Sequence, residues 1–163
     1  MPELTPPPRS RARIALAVTF LALYTGFVLL VTMWPAPVDR DYDSAIERLL
    51  GVLHRNGVPR WFDYRELEFS ANIAMFVPLG FLAGLALPRR VWWLAIFVVP
   101  AFSVAIELAQ AVLLPARVAA FSDVLANSIG GLLGVFAAFV LRAIVNGRDE
   151  KIVARALWEH GVR

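Results

Sequence analysis

Four long apolar runs, each bounded by proline or charged residues, dominate the sequence. They cover residues 14–34, 69–87, 91–114 and 124–141. An apolar helix of about 20 residues, rising about 1.5 Å per residue, crosses the roughly 30 Å hydrocarbon core of a bilayer. Pro35, Pro88 and Pro115 end three of the runs, because proline disrupts a continuing helix. The pattern predicts an all-α fold, namely a polytopic membrane protein built as a four-transmembrane-helix bundle.

A shorter helical pattern lies between the first two runs. In residues 43–55, Asp43 is a candidate helix cap, and apolar side chains recur at the spacing of one helix face. That face contains Ile46, Leu49, Leu50 and Leu53. We predict a short external amphipathic helix that lies flat on the outer leaflet. The aromatic residues Trp61, Phe62 and Tyr64 suit the headgroup level, where they would anchor the entry to the second span.

The first run has a competing interpretation as a secretory signal peptide. Arg9, Arg11 and Arg13 precede it, as basic residues precede the apolar core of such a peptide. However, residues 14–34 exceed the typical apolar core of about 7–15 residues, and no A-x-A-like cleavage site follows them. We therefore predict that this run is retained as the first transmembrane helix.

The basic residues predict an orientation, since four spans place both termini on one side of the membrane. The segments on that side carry Arg9, Arg11, Arg13, Arg89, Arg90, Arg142, Arg148, Lys151 and Arg155. In residues 35–68, on the opposite side, acidic residues outnumber arginines. Because basic loops stay in the cytoplasm, we predict cytoplasmic termini (1–13 and 142–163) and an external loop (35–68).

The amino-acid composition excludes several classes of protein and of functional site. Hydrophobic residues make up 59% of the 163 residues and the mean hydropathy is +0.64, which excludes an ordinary soluble domain. The net charge of +3 is spread between the apolar runs, so we expect no nucleic-acid partner. The absence of cysteine excludes a disulfide framework and a thiolate nucleophile. His54 and His160 lack companion ligands, so we predict neither a metal nor a cofactor.

Polar residues in the spans are the candidate functional residues, because a charged side chain at mid-bilayer costs about 2.5–3.5 kcal/mol. On the third span, Ser103, Glu107 and Gln110 share one helix face. The predicted topology brings polar residues of three spans to similar depth near the external side. The predicted ligand-binding set consists of Asn72, Glu107, Gln110, Arg117, Asp123 and Asn127.

Two interpretations of this set stay open. In the first, it is a polar clamp, in which Glu107 or Asp123 pairs with Arg117 and the amides hydrogen-bond between helices. In the second, it lines an outward-facing pocket, because Arg117 balances only one carboxylate and the other needs solvent, a cation or a ligand donor. Glu107 and Asp123 are also the candidate catalytic residues of an intramembrane enzyme.

Small residues at helical spacing predict where helices approach closely. These packing positions are Gly80, Gly84, Ala126, Gly130, Gly134 and Ala138. Pro78, inside the second span, predicts a kink that frees a backbone carbonyl. We interpret all of them as packing residues.

Two motifs combine in the last three spans. Residues 72–80 read NIAMFVPLG, and the later motif consists of Glu107-x-x-Gln110, Arg117, Asp123, Asn127, Gly130 and Gly134. Together they resemble the VanZ-like family of bacterial integral membrane proteins, over residues 15–141. Ala120 departs from the family pattern, where many members carry an additional aspartate, which weakens any mechanism that needs two adjacent carboxylates there. The family is named after a protein associated with resistance to the glycopeptide teicoplanin. The resemblance therefore implies a cell-envelope role and a location in the bacterial cytoplasmic (inner) membrane.

Three functions fit the predicted pocket. The first is binding of a membrane lipid, a lipid-linked envelope precursor or a lipoglycopeptide, with Arg117 meeting a phosphate or carboxylate and with an effect on teicoplanin susceptibility. The second is an intramembrane enzyme that acts on an envelope lipid, although no serine carries a signature of activation. The third is a lipid translocator or a structural or regulatory membrane partner. Four spans are few for a transporter unless the chain forms a homo-oligomer.

Overall fold

The computed structural model describes residues 11–34, 43–88, 90–114 and 120–159. Within these ranges the chain forms only helices, without a strand. They are α1 (Arg11–Thr32), α2 (Asp43–Arg55), α3 (Tyr64–Ala86), a 3₁₀ turn (Trp92–Leu94), α4 (Ala95–Leu113) and α5 (Phe121–Glu159). By length and composition, α1, α3, α5 and the 3₁₀ turn with α4 form four helices able to cross a membrane. The predicted all-α, four-span architecture is confirmed.

Many large apolar side chains face outward from the bundle, and several small or polar side chains are buried inside it. Leu23, Phe97 and Phe136 are 67%, 65% and 66% exposed, while Ala95 and Ser103 are completely buried. Lipid tails are as apolar as leucine, so helices in a membrane associate through close packing of small residues and through hydrogen bonds. This arrangement is that of a multi-pass membrane protein.

α3 and α5 are parallel neighbours. Their contacting pairs advance together along both helices, namely Ile73 with Gly130, Val77 with Gly134, and Gly84 with Ala138. α1 and α4 run the opposite way, since Tyr24 of α1 bonds to Met75 of α3 and Gln110 of α4 bonds to Thr32 of α1. The ends of α1 and α4 therefore lie beside the starts of α3 and α5.

The interface between α3 and α5 is a seam of small residues. An added Cβ at Gly80, Gly130 or Gly134 would collide with the backbone of the facing helix. We call this contact the glycine seam, formed by Gly80, Gly84, Gly130, Gly131, Gly134 and Ala138. Five of the six predicted packing positions lie in it, and the remaining one, Ala126, is fully buried.

Gly131 was not among the predicted packing positions. Its carbonyl lies against Gly80 of α3, and an added Cβ would meet the side chain of Val99 on α4. One glycine therefore allows both α3 and α4 to approach α5. The four-residue spacing that predicted the stripe describes only one face of α5, so it missed this second contact.

Pro78 lies inside α3 and has no N–H to donate to the carbonyl of Ala74, four residues earlier. The hydroxyl of Tyr24, on α1, donates a hydrogen bond to the adjacent carbonyl, that of Met75, at 2.9 Å. α1 thus contacts α3 beside the turn in which proline weakens the backbone bonding.

α2 occupies the predicted residues 43–55 and ends in a Schellman motif. The N–H of Val58 donates to the carbonyl of Leu53, and the N–H of Gly57 donates to that of His54. Gly57 has φ +95°, a left-handed conformation that favours glycine. The imidazole Nε2 of His54 lies 2.9 Å from the carbonyl oxygen of Phe62, which ties α2 to the segment before α3.

α5 is longer than the predicted fourth span. Its 39 residues measure about 58 Å at about 1.5 Å per residue, nearly twice the thickness of a hydrocarbon core of about 30 Å. The helix continues past Arg142, where the apolar run ends, because no proline follows and the next residues are compatible with a helix. Most of the predicted C-terminal segment therefore belongs to the same helix as the fourth span.

Candidate functional site

Five of the six predicted site residues lie toward the end of the bundle where α1 and α4 end and α3 and α5 begin. Arg117 lies outside the described residues. The polar side chain of Ser103, on the same face of α4, is also buried. We call this group the polar cluster, formed by Asn72, Ser103, Glu107, Gln110, Asp123 and Asn127.

Glu107 contacts the start of α5. Its Oε1 accepts a hydrogen bond of 2.6 Å from the backbone N–H of Ala120, the residue before the helix, and the side chain is only 8% exposed. A carboxylate at a helix N-terminus is typically worth about 0.3–1 kcal/mol, because it meets the positive end of the helix dipole. α5 begins at Phe121, so Glu107 supplies this acceptor from α4, immediately before the helix starts.

The amides of the cluster connect helices. Nε2 of Gln110 donates a buried 2.8 Å hydrogen bond to the carbonyl of Thr32, at the end of α1. The last carbonyls of a helix have no partner within it, so this bond satisfies one of them. Asn72 donates from Nδ2 to Oδ1 of Asp123 at 3.4 Å, which connects α3 with α5. Both are amide hydrogen bonds between helices, as the polar-clamp interpretation expects.

Ser103 and Asn127 differ from their neighbours. They are 0% and 3% exposed, and neither Ser103 Oγ nor Asn127 Oδ1 has a hydrogen-bond partner among the described residues. Leaving a buried polar group without such a bond costs about 1–3 kcal/mol. A hydrogen-bond partner for these two oxygens therefore has to come from outside the described part of the chain.

Ser103 and Asn127 lie in the same stretch of the packed helices α4 and α5. α4 and α5 are antiparallel, with Val99 beside Gly131 at one point and Glu107 bonded to Ala120 further along. Ser103 lies between these two contacts on α4 and Asn127 lies between them on α5, each one helical turn from a carboxylate, that of Glu107 or Asp123. The two unsatisfied oxygens thus extend the polar cluster inward along the α4–α5 interface.

The two candidate catalytic carboxylates have different environments. Glu107 is buried, whereas Asp123 is half-buried and receives a bond from Asn72 and a long 3.5 Å contact from the hydroxyl of Ser122. The described residues contain no group of three or more histidine, aspartate or glutamate side chains arranged to hold a metal ion. The arrangement offers acceptor oxygens along one helix interface.

A family model described as VanZ/LLP1 matches residues 20–142, which include the whole polar cluster and the whole glycine seam. The chain belongs to the VanZ/LLP1 family. Neither the curated proteins nor the solved structures gave a match to it. The matched VanZ/LLP1 region ends at Arg142, although α5 continues to Glu159.

Arg142 has a structural role that the sequence reasoning missed. Its Nη2 donates hydrogen bonds of 2.6 Å and 2.7 Å to the carbonyls of Leu85 and Leu87, at the end of α3. From its place after the fourth apolar run, this arginine was interpreted only as a topology signal. Its position carried a further indication, because Arg142 continues the four-residue spacing of Gly134 and Ala138 and so lies on the face of α5 that packs on α3.

Proposed function

We propose that this VanZ/LLP1 protein binds the headgroup of a membrane lipid or of a lipid-linked envelope molecule in its polar cluster. The observation that carries the proposal is the pair of buried oxygens on Ser103 and Asn127, which have no partner in the described part of the chain. Buried polar groups in native proteins nearly always have a hydrogen-bond partner, and a headgroup that enters between α4 and α5 would supply it.

The chemistry of the cluster favours a headgroup rich in hydrogen-bond donors, such as hydroxyl or amine groups. The carboxylates of Glu107 and Asp123 and the Oδ1 atom of Asn127 are acceptors, and the hydroxyl of Ser103 can donate or accept. Arg117 lies outside the described residues, and its guanidinium is our candidate partner for a phosphate or carboxylate of the same ligand.

The arginine pattern favours an external location for this end of the bundle. A headgroup from the outer leaflet would then reach the cluster without crossing the membrane. We extend the proposal accordingly: occupancy by a lipid-linked precursor or a lipoglycopeptide changes susceptibility to teicoplanin. Expression of the wild-type chain in a susceptible bacterium is expected to raise the inhibitory concentration of teicoplanin, and expression of Asn127→Leu is not.

Native mass spectrometry of protein purified in mild detergent tests the binding directly. We expect the wild-type chain to retain a lipid, and Ser103→Ala and Asn127→Leu to retain about tenfold less, equivalent to about 1.4 kcal/mol of binding free energy. Neither change should lower the melting temperature, because each removes a buried polar oxygen that lacks a bond within the described chain. Ser70→Ala, at an exposed position on α3, is the matched control.

Unchanged lipid retention in Ser103→Ala and Asn127→Leu would show that these oxygens do not meet the headgroup. The same samples can be incubated with added envelope lipids, and turnover by the wild-type chain would support the enzyme alternative instead. The two assays thus separate binding from catalysis in one preparation.

A further inference from the structure

The two unsatisfied oxygens of the polar cluster lie where no ligand can reach them while the helices stay packed. Ser103 is completely buried and Asn127 is 3% exposed. Between this pair and the near end of the bundle lie Glu107 and Gln110, each 8% exposed and each hydrogen-bonded to a neighbouring segment. A headgroup can therefore bind these oxygens only if a helix moves.

We propose that α4 is the helix that moves: its residues 101–113 swing away from α5 and admit the headgroup sideways, from the bilayer. The inference rests on the function proposed above and narrows the class of ligand. The ligand is a lipid whose acyl chains stay in the membrane, and not a water-soluble molecule. The moving segment carries Ser103, Glu107 and Gln110, so its displacement opens the cluster as a unit.

The neighbouring helices are held by contacts that do not yield easily. α3 and α5 meet in the glycine seam, where Gly80, Gly130 and Gly134 lie against the backbone of the facing helix. α1 is tied to α3 by the hydrogen bond from Tyr24 to the carbonyl of Met75. Closely packed backbones leave no flexible side chain that could adapt to a gradual separation. Among the four spans, α4 is therefore the candidate for movement.

α4 itself divides into an anchored half and a half held largely by polar contacts. In the anchored half, a methyl group of buried Val99 occupies the space that a side chain at Gly131 of α5 would need. The other half combines buried Ile106 with the hydrogen bonds of Glu107 and Gln110 to neighbouring segments. Hydrogen bonds can be exchanged for bonds to an incoming headgroup, so this half can leave α5 more readily than the first.

Pro100 lies inside α4 between these two halves. Because proline has no N–H, it cannot donate to the carbonyl of Ile96, four residues earlier. Sharp bends in helices occur mostly at prolines, and hinges consist of a few residues that absorb the change in backbone angles. The weakened turn lies directly before Ser103, at the base of the segment that should move.

The residues next to the unsatisfied pair favour entry from the bilayer. Val104 follows Ser103 on α4 and is 43% exposed, and Leu125 lies two residues before Asn127 on α5 and is 45% exposed. Such apolar residues of membrane-spanning helices meet acyl chains. A lipid already has its chains there and needs to bring only its headgroup between the helices, whereas a water-soluble molecule would first have to leave water.

Paired spin labels in purified protein measure the movement, since the chain contains no cysteine of its own. Labels at Leu108→Cys and Leu125→Cys report on the half of α4 that should move, and labels at the exposed positions Phe97→Cys and Phe136→Cys are the matched control. Phosphatidylethanolamine, whose amine donates hydrogen bonds, should lengthen the first distance by several ångströms and leave the second unchanged. Its water-soluble headgroup, glycerophosphoethanolamine, should change neither at the same concentration.

Pro100→Ala tests the hinge. The alanine N–H can bond to the carbonyl of Ile96, which stiffens the turn before the cluster. We expect several-fold slower uptake of phosphatidylethanolamine and a smaller change of the label distance, without a lower melting temperature. Pro78→Ala, the same substitution inside α3, is the matched control and should keep the wild-type rate and distance change.

Retention of phosphatidylethanolamine in native mass spectrometry without a change in the distance between Leu108 and Leu125 would overturn the movement of α4 and leave the headgroup proposal standing. Equal distance changes with the lipid and with glycerophosphoethanolamine would overturn entry from the bilayer, because the site would then open to water. Wild-type uptake in Pro100→Ala would overturn the hinge. If the wild-type chain retained no phosphatidylethanolamine, the headgroup proposal and the movement of α4 would both fail for this lipid.

Discussion

The two ends of the bundle use a charged side chain in the same structural way. At one end Glu107 accepts a hydrogen bond from the N–H of Ala120, at the start of α5. At the other end Arg142 donates to the carbonyls of Leu85 and Leu87, at the end of α3. Each charge thus meets the helix terminus of opposite polarity, which stabilises both partners. Glu107 and Arg142 therefore both have a structural role in helix packing, whatever chemistry they also perform.

The two ends differ in the polar atoms and cavities that remain once these structural bonds are assigned. Beyond Glu107, the polar cluster contains two buried oxygens, on Ser103 and Asn127, that find no partner among the described residues. Beside Arg142 lies a cleft with an aromatic wall. Candidate binding groups in a membrane bundle are therefore found by first assigning each polar group its structural bond. By that criterion, Ser103 and Asn127 are stronger candidates for ligand contact than Glu107.

The largest effect is expected from the glycine seam, which holds both ends in register. Gly80→Leu would force a side chain into the backbone of α5 at Gly131. We expect a loss of stability beyond the roughly 1–3 kcal/mol typical of overpacking, because the obstacle is backbone and not a movable side chain. The yield of folded protein and the melting temperature in detergent measure it. Gly26→Leu, at a site with open space, is the matched control and should behave like the wild type.

The next largest effect on stability should distinguish the structural contributions of Arg142 and Glu107. Arg142→Met removes both bonds to the end of α3, and hydrogen bonds to charged groups are worth about 1.5–3 kcal/mol. Glu107→Gln keeps an oxygen that can accept from Ala120 and loses only the charge, worth about 0.3–1 kcal/mol at a helix N-terminus. Melting temperatures should therefore fall more for Arg142→Met. The reverse order would mean that the charge of Glu107 balances a buried cation, as in the clamp with Arg117.

Glu107→Gln should reduce function more than stability. If the carboxylate also meets the donors of a headgroup, the neutral amide will weaken lipid retention and abolish the effect on teicoplanin susceptibility while the protein stays folded. Combining it with Arg117→Met is the control. Restored activity in the double variant would show that neither charge contacts the ligand, since the pair would then matter only for its mutual balance.

The features that the sequence predicted depend on local patterns. The four spans follow from apolar runs, and α2 follows from helical spacing over residues 43–55. The unpredicted features depend on contacts between distant residues. Glu107 meets Ala120 only because α4 and α5 are antiparallel in one register, and Arg142 meets Leu85 only because α3 and α5 are parallel. No local propensity encodes such a register, so the candidate set was predictable but its internal bonds were not.

The smallest effect lies outside both ends, at the cap that starts α3. Two hydrogen bonds hold the pKa of Asp63 below its ordinary value of 3.8. The larger effect comes from the backbone N–H of Arg65, and the smaller one comes from the hydrogen bond with Glu66. Because the pKa is lower in the folded state, Asp63 contributes stability above pH 3.8, and this contribution disappears as the pH falls through the lowered pKa. Asp63→Asn keeps a side-chain oxygen without the charge, so its melting temperature should lie below that of the wild type near neutral pH.

The two melting temperatures should converge as the pH falls through the lowered pKa of Asp63, where the wild-type carboxyl becomes protonated in the folded protein. Asp63→Ser is the control, because its neutral oxygen can accept from Arg65 at every pH and should show no such convergence with Asp63→Asn. A constant difference between the wild type and Asp63→Asn over the whole range would mean that the shape of the cap, and not its charge, fixes the start of α3. The stability of the first turn of α3 would then not depend on the protonation state of Asp63.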